Sequence, residues 1–148
     1  MATQTSFALL VEMGMGKGIG IDPAFIPERL HTPAASRLEF IQDLYSERYT
    51  HLTADVVCCR HTLEHISPTS EFMRTVRRTI GERSIPVYFE VPNVRFTLQD
   101  LAVWDIIYEH CAYFSQEALY YLFQRCGFEV IDIQPTYEGQ FLYIEARP

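Results

Sequence analysis

Asp55-Val56-Val57-Cys58-Cys59-Arg60-His61-Thr62-Leu63-Glu64-His65-Ile66 is the stretch on which the fold of this chain turns. Its first five residues, DVVCC, form a short apolar run without polar alternation. That pattern predicts a strand buried on both faces, as in a parallel sheet covered by helices. Titratable side chains follow at once: Arg60, His61, Glu64 and His65. Open α/β sheets bind ligands just past the carboxyl ends of their strands, so this position draws attention to Cys59, Arg60 and His61, while His65 reads as a packed or hydrogen-bonded histidine.

Working outward, Ser67-Pro68 predicts a helix start, with Ser as cap and Pro at the first helical position. Phe72, Met73, Val76 and Ile80 then mark one helical face, and Gly81 ends it. Ile85–Val91 reads as a second buried strand, and 96–109 as an aromatic-rich irregular segment with a helical turn. Ser115 opens another helix, buried through Leu119, Leu122, Phe123 and Cys126 and closed by Gly127. Phe128–Ile133 and Gln140–Ala146 are separated only by a short loop, which predicts an antiparallel pair. Toward the N-terminus, residues 5–14 carry helical spacing, Lys17–Asp22 and Arg37–Gln42 read as strands, and the proline-bearing stretch between them reads as loop. Helices alternating with strands predict an α/β sheet in a single domain spanning 1–148.

Bulk properties narrow the function. A chain of 148 residues that is 48% hydrophobic and 21% charged has the means to build a core. Its net charge of −7 offers no basic footprint for nucleic acid or an anionic membrane. No apolar run reaches a transmembrane length, and no positive n-region precedes the first apolar stretch, so a cytoplasmic location is expected. Cys58, Cys59, Cys111 and Cys126 contain no CxxC pair, and buried, reduced thiols are expected.

Four motifs in this order carry a resemblance: Gly18-Ile19-Gly20-Ile21-Asp22-Pro23-Ala24, the 55–66 stretch, Glu90-Val91-Pro92-Asn93, and Tyr108-Glu109-His110 followed by Tyr113-Phe114-Ser115. Together they resemble class I, Rossmann-like methyltransferases dependent on S-adenosylmethionine, in the branch that includes sugar C-methyltransferases. The resemblance implies a mostly parallel sheet ending in an antiparallel hairpin. It also implies an N-terminal truncation: the family's first strand and its glycine-rich cofactor loop have no counterpart here. Gly14, Gly16, Gly18 and Gly20 precede a strand, whereas a cofactor loop follows one and opens a helix.

The resemblance assigns S-adenosylmethionine as cofactor. Asp22 would accept from the ribose hydroxyls and Asp43 from the adenine amino group, with Leu44 packed on the ring. Cys59, Arg60 and His61 would line the methionine side. Asp22 also reads as a turn residue before Pro23, Asp43 as an ordinary loop acid, and Arg60 as the partner of a surface acid. Glu109-His110 is the candidate catalytic pair, with Tyr108 beside it. A neutral histidine can remove a proton from a carbon next to a carbonyl, and a neighbouring carboxylate or tyrosine can steer it. Trp104, Tyr113, Phe114, Tyr120 and Tyr121 fit core or interface better than an acceptor pocket.

His61-Thr62-Leu63-Glu64-His65 also matches the H-x-x-E-H arrangement of inverted zinc proteases, but Pro68 leaves no room for the long helix that chemistry needs. No metal is expected. The leading expectation is a methyltransferase acting on a small molecule, self-associating to complete its sheet. The alternative is a non-catalytic methyltransferase-like remnant or fragment that serves as a binding module.

Overall fold

The computed structural model describes the backbone from Ala2 to Pro148 and the side chains from Phe7 onward. The residues group into two compact units, Met1–Arg48 and Tyr49–Pro148, and the described strands form two sheets.

The first unit holds helix α1 (Ala2–Glu12) and two parallel strands, β1 (Gly18–Ile21) and β2 (Leu38–Ile41), in register from Gly18 opposite Leu38 to Ile21 opposite Ile41. Aromatic packing holds it: the Phe40 ring stacks on Phe25 at 4.2 Å between centroids and meets the edge of Phe7 at 6.2 Å. These rings explain two of the glycines. A Cβ on Gly18 would lie 2.6 Å from the Phe7 ring, and one on Gly20 would lie 2.6 Å from Phe40. Both glycines make room for aromatic rings against a strand.

The second unit is built on strands β3 (Val57–Arg60), β4 (Val87–Pro92), β5 (Glu129–Thr136) and β6 (Phe141–Arg147), in the order β3-β4-β6-β5. β3 and β4 are parallel, while β6 runs antiparallel to both β4 and β5. The fold class expected from sequence is thus present: a mixed α/β architecture with parallel pairs and a C-terminal antiparallel hairpin. Helix α2 (Thr69–Ile80) buries Met73, Val76 and Ile80, one face of its 3.6-residue period, and Gly81 ends it at φ 63°. Helix α4 (Gln116–Arg125) is capped by Ser115, whose hydroxyl accepts from the Ala118 N–H, and buries Leu119 and Phe123. Phe89 on central β4 meets Phe123 edge-on at 5.2 Å. Fully buried Leu63, Leu142 and Ile144 fill the remaining core, each contributing about 1.5–3 kcal/mol by burial.

Four local expectations are corrected. β3 is half-buried, with Cys58 exposed, because among the described strands it has only β4 as a neighbour. Of the four thiols only Cys126 is buried. Pro68, not Ser67, occupies the cap position of α2, after a cis Ser67–Pro68 peptide. Finally, Val94–Gln99 is a helix, α3, within a stretch read as mostly irregular. Asn93 caps it by accepting from the Arg95 N–H, but its one buried residue is the polar Thr97, so no apolar stripe announces it.

Candidate active site

In the first unit, Asp22 and Asp43 leave the same end of the β1–β2 ladder. Both backbone N–H groups donate to one carbonyl, that of Ile41, at 3.0 Å. Asp22 Oδ1 also accepts from the Ala24 N–H at 2.8 Å, closing the turn at Pro23. Asp43 Oδ1 accepts from the Leu44 N–H at 2.8 Å, its other oxygen pairs with Arg48, and the Leu44 side chain is exposed. A carboxylate offers about four acceptor positions. Asp22 is therefore suited to neighbouring hydroxyl donors, and Leu44 offers an apolar face to a flat ring.

In the second unit, the ends of β3 and β4 form a charged cluster around Glu90, which is 3% exposed. Arg60 donates to Glu90 Oε1 through Nε at 3.0 Å and Nη2 at 2.6 Å. His61 Nε2 reaches the same oxygen at 2.9 Å, and the Tyr88 hydroxyl donates to Oε2 at 3.1 Å. Burial pushes the Glu90 carboxyl up, but the hydrogen bonds and charges of His61 and Arg60 outweigh it and hold the group down at about 2. His61 adopts a left-handed φ of 48°, unusual for a residue with a side chain, while its N–H donates to the Glu90 carbonyl at 2.9 Å. Arg60 and His61 thus converge as a pair, on a carboxylate the sequence reading had not singled out. Burial also pushes the neighbouring Cys59 thiol up to about 12, helped by the charge of Glu64, which makes it a poor nucleophile.

A second cluster lies where the loop from Asp105 to Ala112 folds over the single helical turn Leu63–His65. The Glu64 carbonyl accepts from the N–H groups of Cys111 and Ala112, at 2.9 and 3.1 Å, and this pins the loop. His65 Nδ1 lies 3.0 Å from the Glu109 carbonyl, and His110 Nδ1 lies 2.8 Å from the Asp105 carbonyl. A carbonyl can only accept, so both Nδ1 atoms carry protons and each neutral ring keeps its lone pair on Nε2. The two imidazoles stand 4.8 Å apart, close to edge-on.

Of the proposed catalytic residues, His110 is half-buried and oriented. Glu109 enters the network through its backbone carbonyl, with its side chain exposed, and Tyr108 is fully exposed. Tyr113 is the tyrosine beside His110, at 6.1 Å between ring centroids. Of the aromatic residues read as core or interface, Phe114 is buried, whereas Trp104 and Tyr121 are each 61% exposed. Sequence reasoning missed Glu64 as a partner of these histidines. The juxtaposition joins segments more than forty residues apart, and no local spacing encodes it.

The family model of the Methyltransferase domain matches residues 6–133. The chain belongs to the methyltransferase-domain family. Among solved structures, the chain is similar to a SAM-dependent methyltransferase from Archaeoglobus fulgidus, with TM-score 0.72 and 16% identity over 98% of this chain and 82% of that one. It is also similar to the N,N-8-amino-8-demethyl-D-riboflavin dimethyltransferase RosA from Streptomyces davawensis, with TM-score 0.65 and 18% identity over 88% of this chain. A third similar structure is TnmH, with TM-score 0.69 and 16% identity over 98% of this chain. The chain spans 42% of the length of RosA and 47% of that of TnmH. No curated protein sequence matches it significantly. S-adenosylmethionine is the cofactor that this family and fold imply.

Proposed function

We propose that this methyltransferase methylates a carbon atom of a small molecule, as the sugar C-methyltransferases it resembles do, with His110 as the general base. The observation that carries this reading is the bond from His110 Nδ1 to the Asp105 carbonyl. It fixes the tautomer, so that the neutral ring presents Nε2 as an oriented acceptor.

Within the second unit, Cys59, Arg60 and His61 would line the methionine side of S-adenosylmethionine. When bound, the cofactor supplies a methyl group on a sulfonium, and the sulfur departs as a neutral thioether. His110 Nε2 takes the proton from a carbon beside the acceptor's carbonyl. The electron pair left on that carbon would be available to the methyl group that the cofactor would supply. The proton on His110 then returns to water. Tyr108 and Glu109, with exposed side chains next to the base, are available to the acceptor. Exposed Val103, Trp104, Ile106 and Ile107 support an acceptor with an apolar part.

Calorimetric titration with S-adenosylmethionine and a turnover assay on His110→Ala test this. The variant is expected to lose about 10²–10⁴-fold in methyl transfer, the usual weight of a general base, while cofactor affinity stays unchanged. Retained turnover with lost cofactor affinity would overturn the assignment.

A further inference from the structure

We propose that Glu64, His65 and His110 form a binding site for one divalent transition-metal ion, of which zinc is the best fit. A carboxylate oxygen of Glu64 and one ring nitrogen from each histidine lie within 4.8 Å of one another, and His65 Nε2 is 3.9 Å from Glu64 Oε1. The sequence reading expected no metal. The H-x-x-E-H pair that could have suggested one is not assembled, because His61 Nε2 is spent on Glu90. The third ligand comes instead from His110, across the folded loop.

Three observations converge. First, Glu64 is 2% exposed, and its Oε2 is buried without a hydrogen-bond partner among the described residues. A buried carboxylate normally finds donors for both oxygens, and here the oxygen that faces His65 is Oε1 while Oε2 is left over, so the group has acceptor capacity that a ligand could use. Second, both histidines direct Nδ1–H to a backbone carbonyl, at 3.0 and 2.8 Å. Metal-binding histidines are commonly oriented in this way, with the other nitrogen left to the metal. Third, a carboxylate oxygen and one nitrogen of each imidazole converge here, and the lone pair of His65 Nε2 faces Glu64 Oε1. Acceptors facing one another without a donor repel, and a cation between them reverses the sign.

The donor set selects the metal class. Two imidazoles and one carboxylate suit zinc and its first-row neighbours, whereas calcium and magnesium prefer all-oxygen surroundings. Zinc bonds to nitrogen and oxygen of about 2.0–2.2 Å require the three side chains to draw inward by roughly an ångström. His65 is the exposed member, so a coordination position facing solvent stays open to water or a ligand. The inference goes beyond the methyl-transfer reading and does not depend on it. It adds one consequence: His110 Nε2 cannot hold a metal and accept a proton at the same moment, so bound metal withdraws the proposed base.

The test is zinc titration of the untagged, fully reduced chain against a chromophoric chelator, with magnesium as the comparison ion. One zinc per chain at micromolar affinity or tighter is expected, with no competition from magnesium. Glu64→Gln and His65→Ala should each weaken binding roughly tenfold or more, the least expected when even an outer-shell partner costs that much. His31→Ala and Cys111→Ser should leave it unchanged. His65 is exposed, so its variant keeps the fold even where Glu64→Gln perturbs it. Absence of zinc binding to the wild-type chain would overturn the proposal. So would unchanged affinity in the folded His65→Ala variant, or loss of affinity in Cys111→Ser alone. The readout is binding without turnover, so a failure here leaves the His110 base reading to be judged by its own assay.

Discussion

Glu64 and Glu90 are both buried glutamates in the larger unit of the molecule, and they have opposite surroundings. Glu90, between parallel strand ends, receives an arginine, a histidine and a tyrosine, and these hold its carboxyl at about 2. Glu64, on a single helical turn, keeps one oxygen without a partner among the described residues, and burial pushes its carboxyl above the ordinary range. The smaller opposing effects on Glu64 come from its own backbone N–H and from the charges of His65, His61 and His110. Depth of burial therefore does not decide what a carboxylate does here. The supply of donors does. A satisfied buried charge is part of the framework, and an unsatisfied one is a cost the fold bears unless something binds to it.

The largest effect that could break this contrast is removal of Glu90. Glu90→Ala strips the counter-charge from Arg60, whose side chain is only 22% exposed, and from His61. Breaking a buried pair in this way costs about 3–5 kcal/mol. Denaturant unfolding of the variant should show a loss of that order. A loss under a few tenths of a kcal/mol would mean that the cluster is solvated and that its resemblance to a framework element is superficial.

The next effect has the opposite sign. Glu64→Gln removes a buried charge that lacks its full set of partners, and in metal-free protein it should stabilise the fold by about 1 kcal/mol at neutral pH. The pH dependence sharpens the point. Glu64 has a folded pKa above its ordinary value of 4.5, so its contribution to stability is complete below that value and is lost as pH rises through the folded one. Glu90 behaves in reverse: its contribution is complete above 4.5 and is lost as pH falls through about 2. Thermal melts against pH should therefore show the advantage of Glu64→Gln vanish below pH 4.5, where wild type is already protonated. An advantage that persists in acid would trace the effect to packing rather than charge.

These two clusters also mark what was legible in the sequence. Val57–Arg60, Val87–Pro92 and the hairpin of β5 and β6 follow from apolar runs punctuated by Pro and Gly, so the strands fall close to their predicted places. The helix Val94–Gln99 does not, because a polar cap and one buried threonine produce no periodic signal. The same division holds in the candidate site. Asp22, Asp43, Arg60 and His61 stand at strand ends, where topology alone directs attention. Glu90 sat inside a recognised motif, yet its charged partners Arg60 and His61 come from the neighbouring strand and its end, and pairing register is a tertiary fact. Glu64 with His110 depends on how the 105–112 loop folds back, which no local pattern specifies.

The smallest effect separates the members of the Glu90 cluster from one another. Tyr88 donates to Glu90 Oε2 at 3.1 Å, and its ring stacks near Tyr143 at 5.9 Å and 14°. Tyr88→Phe keeps the ring and removes only the hydroxyl, so about 1 kcal/mol should be lost. The depressed Glu90 value is held by His61 and Arg60, through both hydrogen bonding and charge. The variant should therefore melt a few degrees lower at every pH, and the acid limb of its stability curve should stay where wild type has it. If the limb moves to higher pH by as much as it does when Arg60 is neutralised, the phenol rather than the cations sets the acidity of Glu90. The contrast with Glu64 would then rest on a neutral hydrogen bond, and a single well-placed hydroxyl would be enough to turn an orphaned carboxylate into a framework one.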